Sequence, residues 1–108
     1  MQGKNNTHDP FLALSDQTRR DILYLLNGRE LSIKGIAENF TLSRTAVIKH
    51  LGILSDAGLV RNRKKGRESL FILEKQPLQK VAEWISYFDL YWDQQLQNLK
   101  DAVEDKKE

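Results

Sequence analysis

Four polar side chains lie close together in one short segment of this sequence. Arg44, Thr45, Lys49 and His50 are cations or hydrogen-bonding groups, and none of them gains free energy from a place in an apolar core. Such groups at helical spacing can hydrogen-bond base edges in the major groove of DNA and neutralise its phosphates. The alternative is an ordinary surface helix with solvated charges, and this segment alone does not decide between the two.

The surrounding residues predict the helix that would position these groups. Ser43 is a suitable N-cap. Val47, Leu51 and Leu54 recur at helical spacing and predict a buried stripe on the opposite face. Gly58 stands where a left-handed C-terminal cap would end the helix. We interpret this segment as the recognition helix of a winged helix-turn-helix.

Three shorter helices are predicted before it. Asp9 and Ser32 predict the starts of the first and third of these helices. Only Thr41 and Leu42 separate the third helix from the recognition helix, and so tight a connection is typical of a helix-turn-helix. The apolar positions that define the three helices are Phe11 and Leu14, then Ile22, Leu23 and Leu26, then Ile33, Ile36, Ala37 and Phe40.

A basic β-hairpin is predicted after the recognition helix. Residues 59–63 and 70–73 are short extended runs around a glycine-containing turn at 64–67. Like charges so close together repel one another, and DNA phosphates would relieve that repulsion. We therefore interpret the hairpin as a wing that contacts DNA, with a merely solvated turn as the alternative. Its cations, five of the seven residues from 61 to 67, are Arg61, Arg63, Lys64, Lys65 and Arg67.

The last third of the chain predicts one long amphipathic helix. If residues 77–104 form a continuous helix, its length is about 42 Å, which a domain this small cannot cover. An exposed apolar face of that size marks a partner surface, and a second copy of the chain is the expected partner. The stripe consists of Leu78, Val81, Ala82, Ile85, Phe88, Trp92, Leu96, Leu99 and Val103.

Length and charge fit a single DNA-binding domain. We predict that the 108 residues form a mainly α-helical fold with a small β-hairpin. We predict a flexible N-terminus (1–8), a winged helix-turn-helix (9–76), a dimerisation helix (77–104) and a frayed tail (105–108). Residues 1–73 carry a formal charge of +5 and residues 74–108 carry −3, so the first part is the expected polyanion-binding part.

Composition narrows the function classes. No apolar run approaches the roughly 18 residues of a membrane span, and the polar N-terminus lacks the apolar core of a signal peptide. We therefore expect a cytoplasmic protein without membrane partners. The chain has no cysteine, which excludes disulfides, thiolate metal sites and direct thiol redox control.

Catalytic and metal-binding chemistry is not indicated. His8 and His50 are isolated from each other, and a metal site needs several converging ligands. We expect no cofactor, no metal and no enzymatic activity, because no nucleophile or phosphate-binding motif is present. Arg19, Arg20 and Asp21 lie mainly outside the second apolar stripe and are predicted to be solvated helix surface.

Residues 9–73 are similar to the ArsR/SmtB family of bacterial winged-helix repressors. The similarity rests on three motifs in this order, LSDQTRRDIL, LSRTAVIKHL followed by LSDAGLV, and RKKGRESLFIL. It implies a homodimer, joined through the first and last helices, that binds a pseudo-palindromic operator near a promoter and usually represses its own operon. The implied DNA-reading positions are Ser43, Arg44, Thr45, Ala46, Lys49 and His50. The implied dimer interface is Phe11, Leu14, Leu78, Val81, Ile85, Phe88, Trp92, Leu96 and Leu99.

The chain departs from the family pattern at three places. Where members carry a cysteine-containing metal site in the third helix, this chain has residues 30–34, including Lys34. Its last helix has no histidine for the second kind of metal site, and it resembles a branch without known metal sites. Ile48 stands where members usually have serine or threonine. It could contact a thymine methyl group or point inward as part of the core.

Two further hypotheses compete with a DNA-binding repressor. A winged-helix domain can serve as a protein-interaction module, here through the aromatic face of the last helix, although a protein-binding wing would not ordinarily carry so many cations. A small-molecule effector could also bind near Trp84, Tyr87, Phe88 and Trp92, whose alternative role is dimer core.

Overall fold

The computed structural model describes residues 9–106, with the side chains of residues 90, 105 and 106 left aside. The predicted flexible residues 1–8, with His8, lie outside the described residues, as do residues 107 and 108 of the predicted tail. Within the described range the elements are α1 (Pro10–Ala13), α2 (Gln17–Leu26), β1 (Leu31–Ser32), α3 (Ile33–Glu38), α4 (Arg44–Asp56), β2 (Val60–Lys65), β3 (Glu68–Leu73), α5 (Leu78–Tyr87) and α6 (Asp89–Lys106). This is the predicted mainly helical winged helix-turn-helix.

Each of the first four helices begins at a residue whose side chain caps it. Asp9, Asp16, Ser32 and Ser43 are extended in backbone conformation, and each side-chain oxygen accepts a hydrogen bond from a backbone N–H in the first turn. The donor–acceptor distances are 2.9 to 3.1 Å. Each such cap contributes about 1 kcal/mol to stability, and the predicted helix starts at Asp9, Ser32 and Ser43 are confirmed.

The core lies where the helical stripes meet the sheet. The predicted stripes of α2 and α4 are buried and form one apolar cluster with residues from α1, from α3, from the end of α4 and from or next to the two long strands. These further members are Ala13, Ile36, Ala57, Leu59, Val60 and Phe71. Complete burial of a leucine, isoleucine or valine side chain stabilises the folded state by about 2 kcal/mol. The largest fully buried side chains are Ile22, Leu26, Ile36, Val47, Leu54 and Leu59.

The sheet has one strand more than the predicted hairpin. All three strands are antiparallel in the order β1-β3-β2, with Leu31 opposite Phe71 and Ser32 opposite Leu70. The third strand was missed because two residues are too short to show an alternating pattern. It ties the start of α3 to the wing, so the helix-turn-helix and the hairpin form one unit.

The strands of the wing are longer than predicted, and the turn is shorter. β2 and β3 pair up to Lys65 opposite Glu68, which leaves a two-residue loop of Gly66 and Arg67. Gly66 has φ +64°, the positive value that the first loop position of a tight hairpin requires. Much of the cationic segment is therefore held in paired strands.

The C-terminal stretch is helical almost throughout, as predicted, but it is interrupted at Phe88. The N–H of Phe88 donates to the carbonyls of Ile85 and Ser86. The bond to Ile85 spans three residues instead of the four of an α-helix, so a tight turn separates α5 from α6. Phe88 also stacks edge-to-face on both Trp84 and Tyr87. The periodicity of the apolar residues continues across the turn, which explains why sequence spacing alone did not indicate it. At the other end α6 continues to Lys106, two residues beyond the predicted helix.

Candidate nucleic-acid interface

Helix α4 presents a polar face to solvent and buries the opposite one. Arg44, Thr45 and Lys49 are exposed, and so is the N-cap Ser43, whereas Ala46 is half-buried. The buried stripe holds α4 against α2, α3 and β2. The exposed face therefore carries a guanidinium, a hydroxyl and an ammonium on a rigidly packed helix, a combination that suits a DNA major groove.

His50 does not share this exposed face, contrary to the prediction. Its ring is partly buried, with Nδ1 3.4 Å from a guanidinium nitrogen of Arg19 and 3.9 Å from a carboxylate oxygen of Asp16. The physical reason is its spacing. His50 follows Val47 by three residues and precedes Leu54 by four, so it lies beside the buried stripe, and the same spacing could have indicated this from the sequence.

Two arginines of α2 have positioning roles that the sequence did not reveal. Arg19 donates to the carbonyl of Ala13 over 2.8 Å, and Arg20 donates to the carbonyl of Leu14 over 2.6 Å. A short helix leaves its last carbonyls without partners, and a cation near that end satisfies them. The prediction that these arginines are merely solvated is wrong. Arg19 also reaches His50, so one side chain connects α1, α2 and α4.

The N-cap carboxylate of α2 lies in the same cluster, and its surroundings lower its pKa. The backbone N–H of Arg19, which donates to Asp16, has the largest effect. Partial burial opposes it by favouring the neutral acid, and the positive charge of Arg19 lowers the pKa further. Asp16 is therefore stabilised as a carboxylate at the junction between α2 and the recognition helix.

We expect Asp16→Ala to lower the free energy of unfolding by about 1 kcal/mol at pH 7. Because folding lowers this pKa, the carboxylate stabilises the fold fully above the unfolded pKa of about 4. That stabilisation is lost as the pH falls through the still lower folded pKa. Urea unfolding at pH 7 and at about pH 3 measures both effects. Asp16→Asn is the matched variant, since it keeps a capping oxygen and removes the titration. If the wild type and both variants lost the same free energy of unfolding between pH 7 and about pH 3, the carboxylate of Asp16 would not account for the pH dependence.

The wing divides its cations into two groups. Arg61 and Arg63 lie on the same face of β2, because they are two residues apart. Arg61 pairs with Glu74, and Arg63 reaches Glu30 with a nitrogen–oxygen distance of 2.7 Å. The other group consists of Lys64, Lys65 and Arg67, which are exposed and for which the described part of the chain shows no ion pair. Three of the five predicted wing cations are thus available to an anion without breaking an existing pair.

The predicted dimer residues separate into two sets. Leu14 and Leu78 pack against the core of their own chain, which favours an intrachain role. Phe11 contacts Trp84 edge-to-face, with ring centroids 5.8 Å apart, so α1 and α5 support each other. Val81 is half-buried. The second set lies in the open, at Ile85, Phe88, Trp92, Leu96 and Leu99.

The open set forms an apolar face on a helix that projects from the domain. Trp92, Leu96 and Leu99 are 61%, 64% and 62% exposed. The radius of gyration is 19.7 Å and the molecule measures 71 × 36 × 23 Å, whereas a compact domain of this length has a radius near 13 Å. The extension of α6 thus leaves a large apolar surface in contact with solvent, and such surfaces usually bind a partner.

Comparison with known proteins identifies the family. Residues 16–62 match the family model described as bacterial regulatory protein, arsR family. The transcriptional repressor SdpR of Bacillus subtilis is 37% identical, over 72% of this chain and 87% of that protein. The chain belongs to the ArsR family of bacterial transcriptional regulators. YuzN, an uncharacterized HTH-type transcriptional regulator of B. subtilis, is 40% identical over 69% of this chain and 90% of its own length.

Solved structures agree with this assignment to the ArsR family. An ArsR-like transcriptional regulator from Rhodococcus sp. RHA1 aligns with a TM-score of 0.73 and 33% identity, over 96% of both chains. The similarity therefore includes the C-terminal helices as well as the winged helix. Membership in a family of transcriptional regulators confirms that the protein is a regulator and not an enzyme.

The structure of this ArsR-family protein was also searched for metal-binding groups, membrane-spanning helices and cavities. Within the described residues no group of three or more metal-ligating side chains converges. None of the described helices is long and apolar enough to cross a membrane.

A cavity of about 310 Å³ lies between α2, the end of β3 and the start of α5. The aromatic residues considered as an alternative effector site, Trp84, Tyr87, Phe88 and Trp92, do not line it. Its lining is Leu14, Arg20, Leu23, Tyr24, Asn27, Leu73, Lys75 and Leu78.

Proposed function

We propose that this ArsR-family protein is a homodimeric repressor that binds a pseudo-palindromic DNA operator. The observation that carries the proposal is helix α4. It exposes Arg44, Thr45 and Lys49 on one face and is anchored by three fully or almost fully buried side chains on the other. A helix held in this way fixes the backbone positions from which its donors project, which helps base recognition. The naming of its relative SdpR as a transcriptional repressor supports repression as the outcome of binding.

Dimerisation supplies the symmetry that a palindromic operator needs. The exposed apolar face of α5 and α6 is self-complementary in character, and a second copy would remove it from water. A two-fold axis through this face would present two α4 helices to successive major grooves about 34 Å apart. Such a dimer bound near a promoter would exclude RNA polymerase.

The two DNA-contacting elements would divide the work. Lys64, Lys65 and Arg67 at the wing would bind phosphates, and the N-terminus of α4, with its outward N–H groups, would bind another. Sequence discrimination would come from Arg44, Thr45 and Lys49, because only groups that reach base edges carry sequence information. We further infer that this regulator does not sense metals through cysteines, since its sequence contains none.

The proposal is tested by fluorescence-anisotropy binding to DNA fragments tiled upstream of the protein's own gene, at two salt concentrations. Tight binding to one fragment, well above scrambled DNA and with two chains per site, is the expected result. Equal, salt-sensitive binding to every fragment would contradict sequence-specific recognition by the protein alone. Absence of binding at low salt would overturn the assignment and favour a protein-interaction module that assembles through the C-terminal aromatic face.

We expect Arg44→Ala to relax sequence preference. An arginine that bonds a guanine in bidentate fashion is worth about 1–3 kcal/mol of discrimination against other bases. The variant dimer loses one such contact in each half-site and should therefore bind the operator at least about 30-fold more weakly, while its binding to scrambled DNA changes far less. Arg29→Ala is the control, because Arg29 is an exposed arginine outside the proposed interface. Equal weakening on operator and scrambled DNA would show that Arg44 contacts only phosphate.

A further inference from the structure

Ile48 is an apolar side chain in the middle of a polar, DNA-facing surface. It is 53% exposed, and among the described residues of α4 it is the one large apolar side chain that is exposed. Arg44 and Thr45 lie one turn before it and Lys49 lies beside it. The structure thus excludes the core role that the sequence left open for this position.

Its neighbours along the helix leave room for a base pair to approach. Thr45, three residues before Ile48, is short, and Gly52, four residues after it, has no side chain. A Cβ atom built on Gly52 would meet nothing within 4 Å. Ile48 therefore stands out from a shallow part of the helix surface. Its β-branched side chain is also held in one preferred rotamer on a helix, so little conformational entropy is lost when it makes a contact.

The chemistry of the major groove offers one partner for such a group. The base edges there present mainly hydrogen-bond donors and acceptors, and the 5-methyl group of thymine is the apolar group that projects from them into the groove. Against any other edge, isoleucine would displace water from a polar group without replacing its hydrogen bond, which is unfavourable. The side chain would thus both favour thymine and disfavour the alternatives.

We propose that Ile48 is a specificity-determining residue that contacts the 5-methyl group of a thymine in each half of the operator. The inference rests on the proposed function, because it requires α4 to lie in the major groove. It also explains why an apolar side chain is kept on a surface otherwise suited to hydrogen bonding. The operator should therefore contain a thymine at one fixed position of each half-site, opposite the centre of α4.

Deoxyuridine tests this contact directly, because it keeps the Watson–Crick edge of thymine and lacks only the methyl group. Each operator thymine is replaced in turn, symmetrically in both half-sites, and the affinity is measured by fluorescence anisotropy. We expect one position at which the wild-type protein loses about 10- to 25-fold in affinity, from about one buried methyl group per half-site. In Ile48→Ser the same replacement should change the affinity less than twofold.

Two further variants separate Ile48 from its neighbours. Ile48→Val keeps a branched apolar side chain and should keep most of the sensitivity to deoxyuridine. Thr45→Ser removes the exposed methyl group of the first turn of α4, keeps its hydroxyl group, and should leave the sensitivity to deoxyuridine at that position intact. Both sites are exposed, and equal thermal unfolding of all variants establishes that they are folded.

The outcomes separate this inference from the proposed function. Specific operator binding by the wild type with no deoxyuridine-sensitive position would overturn the inference and leave the repressor assignment standing. So would sensitivity that persists in Ile48→Ser or disappears in Thr45→Ser. Failure of the wild type to bind any fragment specifically would overturn the proposed function and, with it, the thymine contact.

Discussion

Replacing Leu96 and Leu99 by glutamate should convert the proposed dimer into a monomer and weaken operator binding about 100-fold. Both side chains are more than 60% exposed in the single chain, so the change removes little packing within the described structure. In a dimer, however, it would bury four carboxylates in an apolar interface, at a cost that a helix pair cannot offset. A monomer would engage each half-site separately and lose the effective concentration that links the two halves, which is typically worth at least this factor.

Analytical ultracentrifugation measures the mass of the variant, and fluorescence anisotropy measures its affinity for the operator. The matched control is Gln94→Glu with Gln97→Glu, which adds the same two charges to the opposite side of α6. Gln94 and Gln97 are exposed and bond only along their own helix, to Asn98 and Asp101. The control should remain dimeric and bind the operator. A dimeric Leu96→Glu, Leu99→Glu protein would place the dimer interface elsewhere.

Removing Lys64 and Lys65 should weaken binding to all DNA by a similar factor, on the order of 100-fold at moderate salt. Neither lysine has an ion-pair partner in the described structure, so each is available to a phosphate. Loss of two phosphate contacts per chain should lower the dependence of log K on log salt by about 1.8 per chain. Sequence preference should stay unchanged, because phosphate contacts carry no base information.

The informative comparison is Arg61→Ala with Arg63→Ala, which removes the same charge from the same hairpin. Because these arginines are already paired with Glu74 and Glu30, they should contribute less to counterion release. The double lysine variant should therefore show the larger change in salt dependence on both operator and scrambled DNA. The reverse order would mean that the arginine pairs open when DNA binds. A change in sequence preference would mean that the wing reads bases.

Much of this fold can be predicted from interactions between residues that are close together in the sequence. Ser43 caps α4 because its hydroxyl reaches an N–H three residues on, which is a property of neighbouring residues. Val47, Leu51 and Leu54 are buried because their spacing matches the helical repeat. The basic hairpin follows from a glycine between two extended runs. Because Val47, Leu51 and Leu54 fix the buried side of α4, the exposed position of Arg44, Thr45 and Lys49 on its other side could be predicted as well.

Other features depend on residues that are distant in the chain. The spacing of His50 places it beside the buried stripe, but its partners Arg19, 31 residues earlier, and Asp16 meet it only across the junction of α2 and α4. Arg63 is paired because the strand order brings Glu30 close to it, 33 residues away. No local spacing encodes either pairing. The pairing of Arg61 and Arg63 with carboxylates was therefore not evident from the sequence.

The sequence by itself determined which segments are helices, which side of α4 is polar, and that an apolar stripe runs along the C-terminal helices. These are consequences of short-range spacing, since helical and extended backbones place neighbouring residues in fixed ways. Only the tertiary structure decided that Ile48 is exposed and that Leu14 and Leu78 pack against the core of their own chain. The reason is that burial depends on what packs against a side chain, and the partners come from elsewhere in the chain.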